Sequence, residues 1–189
     1  MTQHALLSTD KLHSAANADE PTTFRHVPHN IEAEQALIGA ILVNNDAMDK
    51  TTDFLRPEHF YDPLHASVFE TIQQLLHAGK SVTPTTLRTF FENVEPIDAD
   101  LTVPEYLWRL AENATSVINA RDYGRTIHDL ATRRKLILIG EDMVNTAYDS
   151  PVDQPPNLQI EEAEQLLYQL AEQDKYGQGF LDFTSAISF

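Results

Sequence analysis

The chain has no cysteine, only six glycines, and 13 basic residues against 29 acidic ones among its 189 residues. Without cysteine it can hold neither disulfide staples nor thiolate zinc sites, and it suits a reducing compartment, so a cytoplasmic location is expected. The shortage of Lys and Arg leaves a net charge of −16. Such a charge disfavours broad phosphate contact, and little direct DNA binding is expected. No segment approaches the roughly 20 apolar residues of a membrane span. The N-terminal M-T-Q-H-A-L-L stretch also lacks the basic-then-apolar build of a signal peptide. Strand-like alternation is nowhere convincing, which leaves helices as the building material.

What is present suits a helical domain. A hydrophobic fraction of 42% is enough for a core, and 189 residues hold one domain of about 100–150 residues with tails or linkers. Residues 1–27 read as a polar, disordered arm. The stretch P-H-N-I-E-A-E-Q-A-L-I-G, Pro28 to Gly39, marks a helix start: Asn30 is a good N-cap, and Glu32 and Glu34 place negative charge at the positive end of the helix. Leu37, Ile38, Ile41 and Leu42 supply its apolar stripe. That helix is expected over Ile31–Val43, with a second, short one near Ala47 to Phe54 and a turn at 56–60. Asp62-Pro63 and Thr83-Pro84 mark further starts, each placing proline where its missing N–H costs nothing. Gly79 reads as the stop of the first of these helices. After an acidic loop at 93–101, Thr102 and Glu105 form a capping box.

From about Ile118 to Tyr148 a segment free of proline carries Tyr123, Ile127, Leu130, Ile137 and Val144, and as one helix it would run ~45 Å. Paired with the shorter helix before it, it would project as an αα-hairpin. Alternatively, Gly124 or Gly140 bends it back into the core. Residues 149–159, rich in proline, read as a linker. Ile160, Ala163, Leu167 and Leu170 then mark an amphipathic helix over 160–175, which packs either on another surface or back on its own core. From Glu141 to Phe189 there are ten acids and one base, whereas Arg121, Arg125, Arg133, Arg134 and Lys135 form a short basic stretch. Arg133-Arg134-Lys135 cannot share one helix face, so pairing with Asp129 or with a partner's acids fits it better than DNA contact.

Catalytic and metal signatures are absent from the sequence. Gly79-Lys80-Ser81 imitates the end of a phosphate-binding loop, but the earlier glycine is replaced by Gln74 and the tripeptide follows a helix. The histidine pairs His26/His29 and His59/His65 lack the spacing of a tetrahedral site, and His65 reads as a structural histidine. No catalytic, cofactor or metal residues are assigned.

Three blocks in order, P-H-N-I-E-A-E-Q-A-L-I-G at 28–39, H-F-Y-D-P-L-H-A-S-V-F at 59–69 and Y-L-W-R-L-A at 106–111, resemble the N-terminal domain of the bacterial replicative DNA helicase of the DnaB family. Asn119, Tyr123, Arg134, Leu136 and Ile137 continue the resemblance, which covers about residues 26–180. It implies an all-α fold: a helical head (28–101), a protruding antiparallel hairpin (102–148) and a separate linker helix (160–175). Residues 176–189 would begin the connection to a RecA-like motor. The resemblance further implies self-assembly as dimers, with three dimers in a hexamer, and recruitment of the primase C-terminal domain and a helicase loader. Interface residues are expected at Tyr106, Leu110, Tyr123, Ile127, Leu130, Arg134 and Ile137 on the hairpin, and at Ile160, Ala163, Leu167 and Leu170 on the linker helix. Because the Walker motifs and the arginine finger of the family's motor have no counterpart here, the chain is expected to be non-enzymatic. ATP and Mg belong to the motor alone, and the ending at Ser188-Phe189 reads as an interruption. A different class of function, a monomeric acidic adaptor or inhibitor capping a helicase or loader, is the competing expectation.

Overall fold

A computed structural model describes residues 26–114, 118–149 and 155–176. These contain six α-helices: α1 (Ile31–Val43), α2 (Pro63–His77), α3 (Pro84–Phe91), α4 (Val103–Glu112), α5 (Ala120–Asp149) and α6 (Pro156–Tyr176). No strand is found among the described residues, only an isolated bridge between Asp98 and Leu101 in the acidic loop. The all-α class read from the sequence is the class observed.

The caps explain why the helices begin where they do. Asn30 accepts from the Ala33 N–H at 2.9 Å, and Asp62 accepts from Leu64 N–H at 2.8 Å. Thr102 and Glu105 close the expected capping box, and Thr83 makes another with Thr86. Gly79 stops α2 at φ 71°, with its N–H donating to Leu76 O and the Lys80 N–H to Leu75 O. Those two bonds satisfy the last carbonyls of the helix in a Schellman arrangement, so Gly79-Lys80-Ser81 is a helix terminator and not a phosphate loop. The short helix expected near Ala47 to Phe54 does not form. A single 3-10 turn at Asn45–Ala47 leads into consecutive turns instead, held by Thr51 and Thr52 hydroxyls donating to Met48 O. These side-chain bonds to the backbone compete with helix formation.

α1 is the hub. Leu37, Ile38 and Ile41 are fully buried, and Ala33, Ala40 and Leu42 nearly so, because α2, α4 and α5 surround it. A helix apolar on nearly all sides belongs inside a fold. Gly39 lets α4 approach closely, since a Cβ there would collide with the carbonyl of Leu110. Gly124 does the same for α5, where a Cβ would stand 2.7 Å from Thr51 Cγ2.

The pairing of the long helix corrects the expected boundaries. α4 turns Val103, Leu107 and Leu110 inward and packs on α1 and α3, so it belongs to the head. α5 is continuous through Gly124 and Gly140. Its first half packs on α1 and against Thr51 and Phe54, burying Ala120, Gly124, Ile127 and Ala131, and its second half pairs with α6. The hairpin is therefore α5 with α6, not the 102–148 segment. The helix expected as a separate linker helix over 160–175 supplies the second arm, starting at Pro156, where proline suits the first helical position. The expected linker at 149–159 is shorter for the same reason, and its residues 150–154 lie outside the described residues, as do nearly all of the expected arm at 1–27 and all but the first residue of the connection expected at 176–189.

Candidate protein-interaction surface

Every buried side-chain polar atom among the described residues has a partner. The largest buried network begins at Glu34, which is 2% exposed. Its carboxylate accepts from the Tyr61 N–H at 2.6 Å and the Asp62 N–H at 3.3 Å, and lies 2.8 Å from His65 Nδ1. His65 Nε2 lies 2.7 Å from the Tyr106 hydroxyl, which also accepts from Gln35 Nε2 at 2.9 Å. Burial pushes the Tyr106 phenol above its ordinary value, opposed by the Gln35 bond and reinforced by Asp62 and Glu34. Glu34 is the first-turn acid expected from the sequence, and its buried carboxylate also ties α1 to the start of α2. His65 is the structural histidine expected.

A second cluster fixes the root of the hairpin. The Arg134 guanidinium donates to Pro28 O at 2.9 Å and to His59 O at 2.7 Å, and lies 5.7 Å above the Tyr61 ring. Partial burial pulls its pKa below the usual value, against the opposing pull of Glu34 and Tyr61. Beneath it, His59 stacks edge-on against His128 with ring centroids 4.8 Å apart, and His59 Nδ1 accepts from the Arg56 N–H at 3.0 Å. Burial, with the nearby positive charges of His128, Lys135, Arg56 and Arg134, lowers the His59 pKa to about 3, so its imidazole is neutral near neutral pH.

Above this root the hairpin runs away from the head. α6 lies antiparallel to α5, with Gln159 Nε2 donating to Met143 O at 2.7 Å and Leu166 and Leu170 set beside Leu138 and Ile139. Ala163 and Leu170 are buried in this contact. Many apolar residues of both helices remain exposed: Leu136, Ile137, Leu138, Met143, Val144 and Tyr148 on α5, and Leu158, Ile160, Leu166, Leu167 and Tyr168 on α6. Ile137, Val144 and Tyr148 recur at helical spacing and share one side of α5.

The expected interface residues divide accordingly. Leu110 and Ile127 are core, 8% and 2% exposed, and cannot offer a free surface. Tyr106 serves the Glu34 network, Tyr123 packs partly buried against the core, and Arg134 is engaged with the head backbone instead of Asp129. Leu130 is partly buried. Ala163 and Leu170 are covered by α5, leaving Ile137, Ile160 and Leu167 as the expected residues that remain exposed. Leu136, Leu138, Val144, Tyr148 and Tyr168 are among the exposed residues that were missed. The available signal was Leu136-Ile137-Leu138-Ile139: four successive apolar residues encircle a helix, so one partner helix must leave some of them uncovered.

No group of three His, Asp or Glu side chains able to hold a metal converges among the described residues, and no described helix is long and apolar enough to cross a membrane. Comparison with known proteins supplies the context for this surface. The family described as DnaB-like helicase N terminal domain matches residues 26–129. The replicative DNA helicase DnaB of Rickettsia conorii is 40% identical over 174 residues, covering 92% of this chain and 35% of that protein. The chain therefore spans about a third of that relative's length. Among solved structures, the N-terminal domain of DnaB helicase from Mycobacterium tuberculosis superposes with a TM-score of 0.65 at 23% identity, over 76% of this chain and 99% of that one. A DnaB-like replicative helicase, described together with its interactions with primase, gives 0.57 at 24% identity, over 84% of this chain and 36% of that one. Both likenesses are of fold.

Proposed function

Because the chain belongs to the DnaB-like helicase N-terminal domain family, we propose that it works as the assembly and partner-recruitment domain of a bacterial replicative DNA helicase, taking part in DNA replication by holding other polypeptides. The observation that carries this reading is the number of apolar side chains exposed on the α5–α6 hairpin, among them Leu136, Ile137, Val144, Tyr148, Ile160 and Leu167, on an otherwise strongly acidic molecule. Large apolar side chains exposed in such number along one arm are what a protein–protein interface covers. Two hairpins laid against each other would form a four-helix contact in which those side chains replace water with one another, each large one contributing up to ~1.5–3 kcal/mol if fully buried.

In this reading the chain pairs with its own copies, and three such dimers build a hexamer. The primase C-terminal domain and a helicase loader are further partners, a view supported by the related fold of the helicase described with primase. The domain is non-enzymatic and cytoplasmic. ATP and Mg are handled by the RecA-like motor of the full-length family, and the charge of −16 keeps direct DNA contact small.

Sedimentation equilibrium over a rising concentration series, with and without a matched primase C-terminal domain, tests the proposal. The mass is expected to climb from monomer to dimer and beyond, and to rise again when primase is added. A mass fixed at the monomer with no primase binding contradicts it. A monomer that inhibits intact helicase at equimolar levels would favour the acidic-adaptor alternative.

A further inference from the structure

A second surface lies on the head, away from the hairpin. The end of α3, the acidic loop and the start of α4 enclose an open groove of about 720 Å³. That size lies within the range of ligand-binding clefts, ~300–1,000 Å³. Phe91 forms part of its apolar lining, together with Val94 and Trp108, which are 44% and 49% exposed. Trp108 is the only tryptophan of the chain, and a large aromatic left half in water beside an open groove is the kind of anchor that interfaces use.

The rim is acidic. From Glu92 to Leu101 the chain carries Glu92, Glu95, Asp98 and Asp100 and no basic residue. Glu105 joins them on the groove wall, its carboxylate held below its usual pKa chiefly by the Thr102 backbone N–H, then by the Thr102 hydroxyl. The cation of the groove, Arg88, is matched by Glu92 at 3.1 Å. We propose that this groove docks a short cationic peptide segment of another protein, with a large apolar side chain seated over Trp108 and Val94 and flanking Lys or Arg side chains set against Glu92, Glu95 and Glu105.

Charge complementarity selects that occupant. A peptide with bases on either side of an aliphatic or aromatic residue matches both the wall and the rim, and a cation above Trp108 gains a cation–π contact. A nucleic acid would bring phosphates against Glu92, Glu95 and Glu105 of the groove and is disfavoured. The inference is independent of assembly, because neither α3 nor the loop belongs to the α5–α6 arm.

The test uses a fluorescein-labelled peptide carrying Leu-Phe between Lys-Arg pairs, titrated into the whole chain while both anisotropy and Trp108 emission are followed. Saturable binding with a shift in Trp108 emission is expected, weakening as salt rises. Trp108→Ala and Glu95→Lys should each weaken binding about tenfold, as loss of a central anchor or of a matched charge does. A control peptide with Gly-Ser in place of Leu-Phe should also bind about tenfold more weakly. Glu95→Lys lies on an exposed loop, so its effect is read on a folded protein, with far-UV melting as the check. Ile137→Asp, placed on the hairpin, should bind like wild type, which separates this surface from the assembly surface. Absence of saturation, equal binding by both groove variants, equal binding of the Gly-Ser peptide, or preferential binding of single-stranded DNA would each overturn the proposal.

Discussion

At the scale of residues, a few side chains join distant segments. Arg134 joins the middle of α5 to the backbone on either side of α1, at Pro28 and His59. Removing it leaves two carbonyls without their charged donor, so Arg134→Ala should cost roughly 1.5–3 kcal/mol in urea unfolding. Arg134→Lys should recover only part of that, since an ammonium cannot reproduce the forked donors; full recovery would mean that charge alone matters. His59 gives a pH signature. The unfolded chain takes up a proton on this ring near the ordinary 6.5, the folded site only near 3. The unfolded state therefore binds more protons in that window, and stability is fully present above about pH 6.5 and falls as pH drops towards 3. His59→Asn keeps an acceptor for the Arg56 N–H but cannot titrate, so its stability should fall less steeply between pH 6.5 and 4.5 than that of wild type. Equal slopes would assign the acid sensitivity to the carboxylates alone. Gly39 is a third such residue. Gly39→Ala would drive a Cβ into the Leu110 carbonyl and force α1 and α4 apart, at a cost of ~1–3 kcal/mol.

At the scale of elements, the two glycines of α5 should behave in opposite ways. Gly124 is pressed against Thr51 and Phe54, whereas nothing stands within 4 Å of a Cβ at Gly140. Gly140→Ala should therefore stabilise the chain, by up to about 1 kcal/mol of helix propensity. A lower melting temperature for that variant would place Gly140 at a bend or a close contact. Starts and stops of helices were legible in the sequence because caps are local: Asn30, Asp62, Thr83, Thr102 and Gly79 all act within four residues of themselves. The partner of α5 was not legible. Periodicity gives both α4 and α6 an apolar stripe and says nothing of which stripe meets which. The choice is made by long-range fit: α4 is drawn onto α1 and α3 by Val103, Leu107 and Leu110, with Gly39 admitting the Leu110 backbone. That error carried into the candidate site, turning core residues such as Leu110 and Ile127 into expected interface residues. The links made by Glu34 were not legible for a similar reason, because its partners Tyr61, Asp62 and His65 lie about thirty residues away.

At the scale of the whole molecule, a closed head and an open arm divide the work. The head satisfies its own buried polar groups and centres its packing on α1, whereas the outer half of α5 and most of α6 bury little beyond their mutual contact. An arm of this kind is expected to gain order and stability from a second copy, so melting temperature should rise with protein concentration. The most direct test of the central claim compares wild type with the double variant Ile137→Asp/Leu167→Asp by light scattering on a sizing column. Both positions are exposed in the single chain, at 41% and 42%, so the variant should fold as wild type does. Wild type is expected to show a mass above the monomer, and the variant a monomeric mass with an unchanged far-UV spectrum. A wild type that stays monomeric at high concentration, or a variant that keeps the wild-type mass, would contradict it.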